Sequence, residues 1–331
     1  MATATRAACF IQPSATLQDR PVTNEFRTLE AHSAEYFGET RDYWWNQDFI
    51  ELIGRRFTFE NVHDVLDVGC GVGHWAQVLA SALPVESQVI GVDRDQLWVS
   101  KATERAASRG ISHRFRYLTS EAQALPFPDA SFDLVTCQTL LIHVADPSVA
   151  IAEMVRVARP GGLVLAAEPN NVTSSLIMNS IGFNDSVEKI VAAVRLQLLC
   201  ERGKTTLGEG NNSVGDVVTG LFVASGLTDV TVYLNDKANA FLPPYSPPEQ
   251  RAMLEEIHDF ESRDFWIWNR ADTFRYFLAG GGLEAEFETL WTSVKGGIDS
   301  FAKAVADRTY SHSGATLNYL VAGRKVRESG I

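Results

Sequence analysis

The sequence predicts an α/β fold: a doubly wound, mostly parallel seven-stranded sheet with an inserted, mainly helical cap. Three observations predict it. From residue 62 to 171, short apolar runs alternate with amphipathic stretches of about 10–15 residues, the rhythm of parallel strands joined by right-handed crossovers. The first apolar run ends in a turn holding Gly69, Gly71 and Gly73. The rhythm then stops twice and resumes twice, at 214–235 and at 315–331. The stretches between are therefore insertions into one domain, not a second domain in series.

Each element follows from local signals. Val65-Leu66-Asp67-Val68 is the first strand, and His74 to Leu83 a helix stopped by Pro84. Gln88 to Asp93 is the second strand, followed by a helix from Gln96 to Arg109 that Gly110 closes. Phe115 to Leu118 and Phe132 to Gln138 are the third and fourth strands. Asp146-Pro147 starts a helix, a capping side chain before proline at the first helical position, and that helix runs to Ala158. Arg159-Pro160-Gly161-Gly162 turns the chain into the fifth strand, Leu163 to Ala167. Asn170 to Ser213 holds one helix, from an Asp185 cap with Glu188 three residues on, through Leu199. Val214 to Ala224 is a core helix closed by Gly226, Val230 to Leu234 a strand, and Thr316 to Ala322 the last strand. The organisation is an N-terminal helical arm or lid (1–61), a ligand-binding core (62–171), a first insertion (172–213), a core helix and strand (214–235), a second helical insertion (236–314), and a last strand with its tail (315–331).

Bulk composition narrows the function classes. The 331 residues are 45% apolar and 21% charged, which excludes a disordered chain and a small disulfide scaffold. Lys and Arg number 29 against 41 Asp and Glu, a formal charge of −12. Such a surface repels phosphate backbones and anionic membranes, so neither a nucleic-acid partner nor a membrane is expected. Cys9, Cys70, Cys137 and Cys200 form no CxxC pair and no zinc spacing, and no metal site is expected. No window resembles a secretory or transmembrane segment, so a cytoplasmic location is expected.

The chemistry lies at the carboxyl ends of the strands, where ligands bind in such sheets. Glycines after the first strand let backbone approach a ligand closely. Asp93 ends the second strand, where a carboxylate can take two ribose hydroxyls. Ser120-Glu121-Ala122 follows the third strand, Phe132-Asp133-Leu134-Val135 opens the fourth, and Arg159-Pro160-Gly161-Gly162 precedes the fifth. Together these features resemble the class I S-adenosylmethionine-dependent methyltransferase family, small-molecule type, closely over 62–171 and loosely over 214–234 and 316–324.

The resemblance implies a Rossmann-like sheet, S-adenosyl-L-methionine as cofactor and S-adenosyl-L-homocysteine as product. It implies Asp67, Gly69, Gly71 and Gly73 beside the methionine part, and Asp93, with Arg94 next to it, at the ribose. Glu121 would face the adenine amine, with Ala122 offering its N–H, and Cys137, Gln138 and Thr139 would touch the methionine end. Glu121 departs from the more usual Asp by one methylene. The plainer readings are a ligand-free tight turn for the glycines, a helix cap for Asp93 and a solvated side chain for Glu121. A dinucleotide-binding fingerprint fits worse, because position 74 is His where it wants Gly and Asp67 would repel a pyrophosphate.

Methyl transfer from a sulfonium is an in-line displacement that needs alignment, exclusion of water and, for a protonated nucleophile, a base. His143, just after the fourth strand, is the candidate base and a substrate contact; a histidine that only bonds nearby backbone is the alternative. Glu168, Asn170 and Asn171 end the fifth strand at the same rim, as substrate contacts or as groups satisfying loop backbone. Tyr36, Tyr43 and Trp44 in the arm suit a lid over the site, or rings packed on the core. In the second insertion, Met253, Leu254, Ile257 and Phe260 share a helical face, as do Phe287, Leu290, Trp291, Val294, Ile298 and Phe301, and both read as cap core. The mixed run Phe260 to Arg270 could hold a cationic group. Pro243-Pro244-Tyr245 is a rigid turn. The leading expectation is O-, N- or C-methylation of a small polar metabolite, a cationic or 2-oxo acid compound among the candidates. The alternatives are an RNA or protein methyltransferase and a non-catalytic S-adenosylmethionine-binding protein. A homodimer is one of the assemblies left open.

Overall fold

In the computed structural model of the protein, residues 39–263, 265–314 and 316–327 are described. Tyr36, Phe37, Cys9 and Asp264 lie outside the described residues. Seven strands form one sheet: β1 (Asp64–Val68), β2 (Gln88–Asp93), β3 (Phe115–Thr119), β4 (Phe132–Gln138), β5 (Ala158–Asn170), β6 (Thr228–Leu234) and β7 (Leu317–Arg324). Their order is β3-β2-β1-β4-β5-β7-β6. The first five strands pair parallel, while β7 runs antiparallel between β5 and β6. The strand order reverses beside β1, so the ends of β1 and β4 flank the crevice where such sheets bind ligands.

Helices cover both faces. On one face α1 (Gln47–Phe57), α2 (His74–Leu79) and α3 (Gln96–Ser108) enclose a core of Ile50, Phe59, Val65, Trp75, Leu79, Phe115 and Leu165. On the other, α4 (Pro147–Val157) and α6 (Gly215–Ala224) cover Leu66, Val68, Val135, Met154, Val164 and Phe222. Alternate residues of β1 feed opposite cores, the period of two expected of a strand buried on both faces. Asp95 and Asp146 cap α3 and α4, accepting from Leu97 N (2.8 Å) and Ser148 N (2.9 Å).

Several boundaries differ from the sequence expectation. The helix expected over 74–83 is regular only to Leu79, after which Ala82 N closes a turn on Leu79 O. Arg159 to Gly162, expected as a turn, belongs to β5: Ala158 pairs with Phe132 across a bulge, and Gly161 and Gly162 exchange backbone bonds with Lys325. Ser186, not Asp185, caps α5 (Val187–Thr206), which continues past Leu199; Asp185 instead meets Lys189 Nζ at 2.7 Å.

The two insertions form one cap. The first supplies α5; the second supplies α7 (Pro248–Ser262), α8 (Arg270–Ala279) and α9 (Glu284–Ala306). Leu196 and Cys200 of α5 share a cluster with Tyr276 and Phe277 of α8 and with Phe287, Trp291 and Val294 of α9. Phe241, Tyr245, Ala304 and Tyr310 make a second cluster, with Met253, Leu254, Ile257 and Phe301 against it. Both expected stripes are therefore cap core except for Phe260, which joins neither cluster. Close backbone contact joins α5 to the end of α8: a Cβ on Gly203 would stand 1.7 Å from Tyr276 O, and one on Gly280 1.9 Å from Leu199 O.

Candidate functional site

The loop after β1 is a backbone cradle. Gly69, Gly71 and Gly73 have φ of 70°, 51° and 81°, the left-handed region that other residues enter only with strain. Space imposes the same choice, since a Cβ on Gly69 would meet Leu140 Cδ1 at 2.6 Å and one on Gly73 the Tyr117 hydroxyl at 2.5 Å. The Gly71 N–H donates to Asp93 Oδ2 (2.9 Å), and Asp95 N donates to Oδ1 (3.0 Å). Asp93 therefore sets the cradle's shape.

Asp67 lies directly beneath the cradle. It is 0% exposed, and neither carboxyl oxygen makes a well-formed hydrogen bond among the described residues, the Ala76 N–H only approaching it. Burial pushes its pKa up to about 8, against the Ala76 backbone and with help from Asp93. A buried acid so weakly bonded is expensive unless something completes it. A cationic group bound at the cradle would do so. The close-approach glycines, the strand-end acid and the weakly bonded carboxyl all fit S-adenosylmethionine, which carries a sulfonium and no phosphate.

The other cofactor candidates spread along the same edge. Arg94 is exposed beyond Asp93, Glu121 is exposed after β3, and Ala122 is half-buried. Cys137 departs from the expected side-chain contact. It is fully buried with Sγ 3.7 Å from Glu168 Oε1, and burial pushes the thiol up, so only its backbone faces the edge. Gln138 is half-buried at the end of β4, and Thr139, with φ of 51°, turns the chain away.

Glu168 is not a rim residue. It is 0% exposed, and its Oε1 accepts from Leu140 N (2.9 Å) and Leu141 N (3.0 Å). Its Oε2 has no partner among the described residues. Burial raises its pKa to about 7, against those backbone bonds. The turn it holds, Leu141–His143, packs through Leu140 onto Gly69 and carries a half-buried His143 beside the cradle. Asn170 Nδ2 donates to Asp216 of α6, and Asn171 Nδ2 donates to Asn212 O (2.7 Å) in the first insertion. Asn170 also lines a cavity of about 700 Å³ with Glu201, Ser213 and Asp216.

The arm supplies residues that the sequence did not single out. Asp42, in the turn Glu39–Tyr43, lies 2.6 Å from His74 Nδ1, from Arg105 Nη2 and from Arg109 Nη2. Burial alone would raise Asp42, but His74, Arg109 and Arg105 outweigh it and hold it well below the usual carboxylate range. Arg41 is buried, its pKa lowered to about 10 by burial and sustained by Glu256 and Asp93. Thr40 Oγ1 donates to the same Glu256, on α7. Tyr43 and Trp44 are half-buried. The Arg41 guanidinium stands 5.3 Å from the Trp44 ring centroid, and the Trp44 carbonyl accepts from Asn235 Nδ2 (2.7 Å). No local pattern marks Thr40 or Asp42, because their side-chain partners are 32 to 216 residues away. In the run from Phe260, the rings of Phe260 and Phe265 meet the chain's own Arg263 at 5.8 and 5.7 Å. No helix among the described residues is long and apolar enough to cross a membrane.

Comparison with known proteins places this core. Residues 66–166 match the family described as "Methyltransferase domain". Demethylmenaquinone methyltransferase of Geobacillus stearothermophilus is 33% identical over 129 residues, 39% of this chain and 53% of that protein. Ubiquinone biosynthesis O-methyltransferase of Methylococcus capsulatus is 30% identical over 159 residues, 45% of this chain and 65% of that protein. The chain thus spans between about half and two thirds of the length of these relatives. The solved YcgJ protein of Bacillus subtilis aligns over 86% of this chain and 100% of its own, with 20% identity and a TM-score of 0.46. Residues 66–166, with their glycine turn and strand-end acids, are thus similar to the methyltransferase-domain family over that stretch of the chain.

Proposed function

We propose that the protein transfers the methyl group of S-adenosylmethionine to a small molecule held under the cap. The observation that carries the reading is the buried, weakly bonded Asp67 beneath three left-handed glycines, with Asp93 bonded into the same loop. When bound, S-adenosylmethionine supplies an activated methyl group whose departure leaves a neutral thioether. The chain's part is to bind, orient and exclude water. Gly69, Gly71 and Gly73 admit the ligand's methionine part, Asp67 faces its positive charge, and Asp93, flanked by Arg94, holds the ribose. Glu121 and the Ala122 N–H take the adenine, and the backbone at Cys137 and Gln138 borders the methionine end. His143, on the turn after β4, accepts the acceptor's proton where the nucleophile carries one. Tyr43, Trp44 and the cap close the site against water.

The acceptor is set by the insertions. The family match ends at residue 166, before either insertion, and the quinone-pathway relatives align over only 129 and 159 residues of this chain. A small polar acceptor fits the carboxylates and amides at the β5 end: Asn170, Glu201, Ser213 and Asp216 line the cavity there. The test uses labelled S-adenosylmethionine with fractionated metabolite extract and mass identification of the product. A labelled small molecule, lost with Asp93→Ala, is the expected result. Label in protein or RNA alone, or cofactor binding with no transfer, would reject the proposal.

A further inference from the structure

The turn that carries His143 is three residues long and closes on one internal bond, His143 N to Leu140 O (2.9 Å). So short a 3₁₀ turn does not hold its own geometry. Two buried charged side chains from different parts of the fold do so. At its start, Glu168 of β5 accepts from Leu140 N and Leu141 N. In its middle, Lys204 of α5 donates from Nζ to Ile142 O (2.8 Å). Lys204 is 4% exposed, and this is the one hydrogen bond its side chain makes among the described residues. Glu201, Glu209 and Glu168 surround it electrostatically, while burial lowers its pKa to about 8. A buried ammonium is costly, and an apolar side chain would fill the space without desolvating a charge. What the ammonium adds is its bond to the turn. The same insertion presses on the turn a second time: Gly210 lies so close that a Cβ would stand 2.4 Å from Ile142 O and 3.0 Å from the His143 carbonyl carbon.

We propose that Lys204 and Glu168 are positioning residues for His143. Glu168 accepts from amide N–H groups at the start of the turn and Lys204 donates to a carbonyl in its middle, so the first insertion helps the sheet set where the imidazole stands. The inference rests on the reading of His143 as the group facing the acceptor. It makes the insertion a part of the reactive geometry as well as a roof over it.

The test is made on the full chain with ¹⁵N-histidine, saturated with S-adenosylhomocysteine, the His143 signals being assigned with His143→Gln. Lys204→Met and Gly210→Ala are expected to move the His143 ring resonances, with S-adenosylhomocysteine affinity unchanged within about twofold. Lys204→Arg, which keeps the donor, is expected to stay nearer the native spectrum. Gly210→Ala removes no charge, so movement there reports geometry and not the loss of a neighbouring cation. Lys204→Met is also read by amide exchange across residues 139–144, expected to quicken about tenfold as the turn loosens. If Lys204→Met leaves both the ring resonances and the exchange native, the proposal is overturned. The role of His143 is read separately, by labelled transfer with His143→Gln. Full transfer there rejects His143 as the acceptor's partner and leaves the positioning result intact.

Discussion

Asp67 shows how a single side chain ties stability to binding. It is protonated below a folded-state pKa of about 8, while in the unfolded chain it ionises near 3.8. Between those values the folded state binds a proton that the unfolded state does not, so stability falls as pH rises through the window. Asp67→Asn cannot ionise. It is expected to raise stability at pH 8 by on the order of 5 kcal/mol relative to its effect at pH 4. Denaturant melts at the two pH values check this. The same variant is expected to bind S-adenosylmethionine at least about tenfold more weakly by titration calorimetry, as the ligand loses its carboxylate. Asp93 differs, because its two backbone bonds give it a structural task as well. The sequence made the glycine turn and the strand-end places of Asp67 and Asp93 legible because position relative to a strand end is local. Glu168 was misplaced at the rim because its partners, Leu140 and Leu141, lie 27 to 28 residues away on another strand's turn.

Elements meet where backbone comes close or charge is shared. Gly203 of α5 and Gly280 at the end of α8 let the two insertions touch main chain to main chain. Gly203→Ala puts a methyl group where Tyr276 O stands and is expected to cost about 1–3 kcal/mol, read as a lower urea midpoint. Little or no change would show that the helices separate freely. Asp42 fastens the arm to α2 and α3 through His74, Arg105 and Arg109. Its contribution is present above the unfolded carboxylate range and lost as pH falls through and below it. Asp42→Ala is expected to lower the thermal midpoint at pH 7, by less at pH 3. Equal losses at both would point to packing alone. Helix and strand types followed from periodicity, whereas ends such as Leu79 and the Arg159–Gly162 segment of β5 depended on partners across the sheet.

For the whole molecule, the cradle, the arm and the cap should act as one ligand-linked unit. S-adenosylhomocysteine at about 100 times its dissociation constant is expected to stabilise the fold by about 2.7 kcal/mol, and a melt that ignores the ligand would contradict the cofactor site. The sequence by itself determined the alternating sheet, the glycine cradle with its strand-end acids, and the fact that two insertions interrupt one domain. These are encoded within a strand and its adjoining turn, where spacing of two or 3.6 residues and the backbone freedom of glycine suffice. Only the tertiary structure decided that the insertions merge into one cap, that Asp42 and Arg41 bind the arm to the cofactor face, and that Lys204 reaches the turn bearing His143. Those are contacts between charged or small residues far apart in the chain. Nothing in their own neighbourhoods distinguishes a buried lysine or a helix-crossing glycine from a solvated one until the chain folds back on itself.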